Sequence, residues 1–197
     1  ADNDTDFVLA TPGDIWRIPA HDATQYGSRL IGNIFSDRRF TFPKSLFAVK
    51  DCLYFFTANK PNALVVDFFA GSGTTLHAVN LLNAEDGGHR RCIMVTNNEV
   101  SADEAKMLKD KGYQPGDAEW EKLGIAHYVT WPRTVCSIKG QDVNGNPLKG
   151  DYLGGEPPMH MADGFKANAA FFKLGFLDPT AVSLGMRFSE MLPTLWL

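Results

Sequence analysis

The chain has 197 residues, 44% of them hydrophobic and 21% charged, with a net charge of −4. That suffices for one globular domain with a core and at most a small appendage. It offers no apolar run of the roughly 18 residues a spanning helix needs, no signal-peptide pattern, and no strongly basic balance suited to gripping nucleic acid unaided.

In chain order, residues 1–30 are polar and irregular, with a turn at Thr11-Pro12-Gly13-Asp14, and read as a loop or arm. Ser45 then caps a helix in which Leu46, Val49, Leu53 and Tyr54 share one face, and Asn59-Lys60-Pro61-Asn62 ends it. Residues 63–69 form a nearly continuous apolar run, as expected of a parallel strand covered on both faces. A turn at residues 70–73 opens a helix with Leu76, Val79 and Leu82 at helical spacing, closed by Gly87-Gly88. Residues 92–96 predict a second buried strand, and Ser101-Ala102-Asp103-Glu104 is a capping box. Residues 117–123 look helical, residues 125–131 alternate like a strand, and Pro132 suits the first turn of a helix reaching about Ile138. Strands alternating with helices imply an α/β, doubly wound parallel sheet.

After Gly140 the texture changes. Asn144-Gly145 signals a hairpin. Residues 165–177 hold six aromatic or leucine residues in a strand-like context. Phe188, Leu192 and Leu195 form a helical stripe interrupted by Pro193.

Cys52, Cys92 and Cys136 form no CxxC pair, so neither a disulfide framework nor a zinc site is expected, and a reducing cytoplasm fits best. His21, His77, His89, His127 and His160 lack ligand spacing and read as surface or satisfied core residues. Trp131 and Phe171-Phe172 read as core. The basic clusters (Arg38-Arg39 with Lys44, Arg90-Arg91, and Lys106, Lys109 and Lys111) read as solvated surface.

The chemistry concentrates in Val66-Asp67-Phe68-Phe69-Ala70-Gly71-Ser72-Gly73-Thr74-Thr75. A strand ends in an acid, and a Gly-x-Gly turn then feeds a helix whose unpaired N–H groups favour a carboxylate. Glycines there permit positive φ and close approach of a ligand to the backbone. An ATP P-loop would require a lysine before the threonines, and a nicotinamide fingerprint a glycine where Leu76 stands.

This stretch resembles motif I of the amino-methyltransferases acting on DNA. Phe42-Pro43-Lys44-Ser45 is similar to their motif X, and Arg91-Cys92-Ile93-Met94-Val95-Thr96-Asn97-Asn98-Glu99 to motif II of the modification subunits of type III restriction systems. Trp131-Pro132-Arg133 and residues 162–168 are also similar to those subunits, and the order X, I, II is that of the β group. The resemblance implies a Rossmann-like S-adenosylmethionine-dependent methyltransferase fold. Residues 1–140 would be a cofactor-binding half-domain with an incomplete parallel sheet, and residues 141–197 a small β-rich extension of hairpin and helix.

It further implies that Asp67, Phe68, Phe69, Ala70, Gly71, Ser72 and Gly73, with Thr74 and Thr75 opening the helix, surround the methionine portion of the cofactor. Lys44, with Phe42 and Ser45, completes that end; without the resemblance Lys44 is a solvated lysine near a helix start. The ribose acid usual at the second strand's tip is replaced, leaving Thr96, Asn97 and Glu99 as candidates, or a plain Asn97-Asn98 turn with Glu99 in the following helix.

The Asp-Pro-Pro-Tyr type of sequence that receives the flipped adenine is absent; Glu156-Pro157-Pro158-Met159 lacks the aromatic and follows motif I instead of preceding it. The expectation is a C-terminal piece, truncated or split, of a DNA adenine-N6 methyltransferase. Its catalytic and target-recognition parts would precede residue 1, with a homodimer and a restriction subunit as the implied partners. A non-catalytic remnant or assembly module is the alternative, followed by an RNA or small-molecule methyltransferase. The open edge of the first strand is expected to be covered by a partner, a second copy or residues 141–177.

Overall fold

The computed structural model describes residues 15–37, 39–155, 157–175 and 177–192. The Thr11-Pro12-Gly13-Asp14 turn, Pro193 and Leu195 lie outside them.

The expected arm is helical in its last part. Asp22 Oδ1 accepts from the Thr24 and Gln25 amides at 2.6 and 3.3 Å. The chain then winds through a π-helical turn, Thr24–Arg29, straight into helix α1, Leu30–Phe35. Leu30, Ile31, Ile34 and Phe35 are all buried there, so an apolar stripe begins just where the polar stretch ends. Gly27 lets this helix pass under the chain before α2, since a Cβ would come within 2.6 Å of the Pro43 carbonyl.

Helix α2, Leu46–Thr57, starts at Ser45 as expected, with the Ser45 hydroxyl accepting from the Ala48 amide at 3.4 Å. Leu46 is fully buried and Val49 and Leu53 pack against the core, but Tyr54 is exposed. Strand β1, Leu64–Asp67, follows, then helix α3, Thr74–Asp86, and strand β2, Arg91–Met94. The strands pair in parallel, Leu64 opposite Arg91 and Asp67 opposite Met94, with α3 as the crossover. This is an α/β unit with a small two-stranded parallel sheet among the described residues. β1 is not covered on both faces, because Leu64 and Val66 remain 48% and 45% exposed.

Arg90, expected on the surface, is buried instead. Its guanidinium bonds the Thr57 carbonyl at the end of α2 and both oxygens of Asp86 at the end of α3, tying the two helices together.

Ser101 caps helix α4, Ala102–Asp110, and donates to Glu104 at 2.7 Å, as the capping box predicts. Helix α5, Ala118–Glu121, is short. The strand expected over residues 125–131 does not form. Ala126–Thr130 is a π-helical turn running without a break into helix α6, Trp131–Lys139. Ile125, Tyr128 and Val129 satisfy a helical stripe as well as an alternation, and packing against α1 decides for the helix.

Beyond Gly140 the chain closes the core rather than standing apart, with Leu148, Tyr152, Met161 and Phe165 joining the cluster of α1, α2 and α3. The Asn144-Gly145 turn forms, closed by an antiparallel bridge between Gln141 and Pro147, and a second bridge joins Asp151 to His160. These isolated bridges take the place of the expected β-rich extension. No strand forms among the described residues of 165–177; Phe171 and Phe172 are exposed, and Phe171 leans on His127 and Trp131 instead of entering the core. Two short helices follow, α7, Pro179–Ser183, and α8, Phe188–Met191. Among the described residues no helix is long and apolar enough to cross a membrane.

Candidate functional site

The turn between β1 and α3 is closed by the acid at its base. Asp67 Oδ2 accepts from Thr75 Oγ1 at 2.6 Å and Oδ1 from the Phe69 amide at 3.0 Å, so one carboxylate ties strand end to helix start. The Ala70 amide reaches across to the Val95 carbonyl and the Gly73 amide back to the Ala70 carbonyl. Gly71 and Gly73 adopt left-handed φ of 50° and 78°. No side chain caps α3, which leaves its first N–H groups for a ligand or water.

Residues far along the chain hold this turn from below. Thr130 Oγ1 donates to the Gly71 carbonyl at 2.5 Å. Arg133, fully buried, directs Nη1 to Thr74 Oγ1 at 2.8 Å, Ser72 Oγ at 3.1 Å and the Ser72 carbonyl at 3.3 Å. Its Nε donates to His77 Nδ1 at 3.4 Å. Because a guanidinium only donates, His77 Nδ1 must accept and Nε2 carries the ring proton, which it gives to the Tyr152 hydroxyl at 2.8 Å. Burial holds His77 well below its ordinary pKa, with Arg133's charge adding to the effect. Burial also lowers Arg133 to about 10, still cationic at neutral pH.

Two clefts of about 680 and 670 Å³ adjoin this framework. Exposed Phe42 and Lys44 line the first; Glu99, Arg39, Ser101 and Tyr128 line part of the second. Asp37, Phe40 and Thr41 belong to both, and the Phe40 ring tip is 4.0 Å from where a Gly71 Cβ would stand. No residue of 67–75 lines either cleft. Phe68 and Phe69 are exposed, while Ala70, Ser72, Gly73 and Thr74 are buried. Ser45 is turned inward, its hydroxyl donating to the Ala20 carbonyl at 2.9 Å.

At the tip of β2, Thr96 is half-buried, and exposed Asn97 donates to exposed Glu99 at 3.4 Å. Glu99 precedes the α4 cap and so lies outside the helix. Asn98 is more than a turn residue. It donates to the Glu121 carbonyl and carboxylate at 2.8 and 2.9 Å and accepts from the Ala126 and His127 amides. That bond, with lesser contributions, holds the Glu121 carboxyl below its usual pKa.

Sequence reading missed Phe40, Asn98, Thr130 and Arg133 as parts of this framework. Asn98 and Thr130 carry no local signal. Arg133 offers one clue: with Thr134 and Ser137 it makes a polar face on α6, and that face is buried.

The DNA methylase family profile matches residues 8–113, more than half of the chain. Over 78 residues the chain is 41% identical to the type II methyltransferase M.KpnI of Klebsiella pneumoniae, covering 38% of this chain and 18% of that protein. It is 38% identical over 91 residues to the Mod subunit of the type III restriction-modification enzyme StyLTI of Salmonella typhimurium, covering 46% and 14%. The Mod subunit of the type III enzyme EcoPI of Escherichia phage P1 is 37% identical over 89 residues, covering 45% and 13%. The match thus spans less than a fifth of each relative's length. The strand–acid–glycine turn falls within the residues that the family profile matches, Thr130 and Arg133 beneath it lie beyond them, and the chain belongs to the DNA methylase family.

Proposed function

We propose that this chain holds S-adenosylmethionine for transfer of a methyl group to adenine N6 of DNA, within a restriction-modification system. The single observation that carries the reading is the turn after β1. There Asp67 is locked to Thr75, and two left-handed glycines carry the chain into the uncapped start of α3. The residues fit the cofactor, because an anionic carboxylate suits that helix start and the clefts beside Phe40 offer polar groups at their rims.

Asp67 and the backbone of residues 68–73 surround the methionine portion, flanked by Phe42 and Lys44. Ser72 and Thr74 contribute through their backbone, since their side chains face Arg133. Ser45 sets the path of Lys44 from its cap. Glu99 accepts from the ribose hydroxyls, its exposed carboxylate on a cleft wall favouring it over Thr96 and Asn97. When bound, the cofactor supplies the electrophilic methyl group. The residues that receive adenine belong to sequence this chain does not carry, and DNA, a further polypeptide part, a second copy and a restriction subunit are the partners of the whole enzyme in a bacterial cytoplasm. Lack of an Asp-Pro-Pro-Tyr sequence supports a second reading, a cofactor-binding module without catalysis of its own.

Calorimetric titration of S-adenosylmethionine and S-adenosylhomocysteine into the chain tests the reading. Saturable binding is expected, lost in Asp67→Ala. A folded chain that takes up neither ligand would overturn it.

A further inference from the structure

Arg133 is the most unusual charge in the molecule. It is fully buried, yet its contacts are all to neutral acceptors: Ser72, Thr74 and His77. Among the described residues no carboxylate lies within ion-pair distance of it, and Nη2 has no hydrogen-bond partner. A buried cation ordinarily requires a counter-charge. The neighbouring groups cannot provide one. His77 must stay neutral to accept from Nε, and burial drives the Tyr152 phenol far above its usual pKa, keeping it protonated. The cation also sits at the start of a 13-residue helix, where the backbone dipole is itself positive. Two like electrostatic features therefore converge under the Gly-x-Gly turn, and an anion above the turn relieves both.

We propose that Arg133 is a positioning residue for the carboxylate of the methyl donor. From beneath the turn it fixes Ser72 and Thr74, and it supplies the positive charge that an anionic group over the backbone of residues 71–73 neutralises. The inference rests on the donor site proposed above and names the group that site selects for. It makes the carboxylate, rather than the adenosine or the amine, the part of the ligand that Arg133 controls.

The test compares S-adenosylhomocysteine with its decarboxylated analogue, which keeps the amine, by calorimetry on the whole chain. In the unaltered protein the carboxylate-bearing ligand binds about tenfold tighter, the scale of one charge pair at roughly 10 Å in a protein-like medium. Arg133→Gln brings the two ligands toward parity chiefly by weakening the acid, whereas Arg133→Lys keeps most of the preference. His77→Glu places a carboxylate beside Arg133, supplies the missing counter-charge without removing the cation, and erases the preference too. That variant decides the question if Arg133→Gln does not fold. An equal preference in the unaltered protein and in either neutralised variant would overturn the proposal, because a merely structural arginine weakens both ligands alike. No preference in the unaltered protein would overturn it as well. Failure of both ligands to bind the unaltered protein would instead remove the donor-site reading.

Discussion

Gly73 shows how much of the site hangs on single residues. Its φ of 78° is costly for any side chain, and a Cβ would stand 3.2 Å from Thr130 Cγ2. Gly73→Ala is therefore expected to destabilise the chain by about 1–2 kcal/mol, read from urea denaturation, and to weaken cofactor binding with it. His77 gives a second expectation. Its folded-state pKa lies well below 6.5, so the unfolded chain takes up a proton that the folded chain refuses. That contribution is present above pH 6.5 and is lost progressively as pH falls from there toward the folded pKa, at up to about 1.4 kcal/mol per pH unit. His160, raised by Asp151, acts in the opposite sense and above pH 6.5, its contribution fading as pH rises toward its folded pKa. The comparison of His77→Gln with the unaltered protein between pH 7.5 and 5 thus isolates His77, and the variant should lose stability less steeply. Parallel slopes would refute the assignment.

Among the elements, α2 and α3 are joined at their ends by the Arg90 guanidinium, whose removal strands the Thr57 carbonyl and takes two bonds from Asp86, while Asn83 keeps its bonds to the Arg90 backbone. Arg90→Met should cost about 2–3 kcal/mol in equilibrium unfolding; a change under 0.5 would show the tie to be idle. What sequence reading recovered at this scale was set by near neighbours. Ser45 and Ser101 act within three residues, Gly87 ends its helix with a local φ of 70°, and the β1–turn–α3 unit spells its own geometry. What it missed was decided at a distance. Residues 125–131 fit two periodicities, and only the core could choose. The polar face of α6 looks solvated until the turn it supports, some 60 residues earlier, is in place. The aromatics of 165–177 resemble a strand, but none of their described residues pairs with the open edge of β1. The candidate site divides in the same way: Asp67, Gly71 and Gly73 are legible, whereas Thr130 and Arg133 are not.

Across the whole molecule, apolar surface remains open where β1 has no outer neighbour. Leu64, Val66, Phe68 and Phe69 are exposed there, and so are Tyr54, Phe55 and Phe56 late in α2. Phe171 is occupied against His127 and Trp131, and no described part of residues 141–177 pairs with β1. Sedimentation should accordingly show association that grows with protein concentration and is reduced by Val66→Lys; a single monomeric species at all concentrations would contradict this. The long reach from α6 to the glycine turn has another consequence, in the timing of synthesis. Arg133 stands 61 positions after Ser72. At roughly 5–20 residues per second, a ribosome emits the turn about 3–12 s before the arginine that secures it. During that interval the nascent chain displays Phe68 and Phe69 beside an unbraced loop, a form that chaperones would recognise and the methyl donor would not.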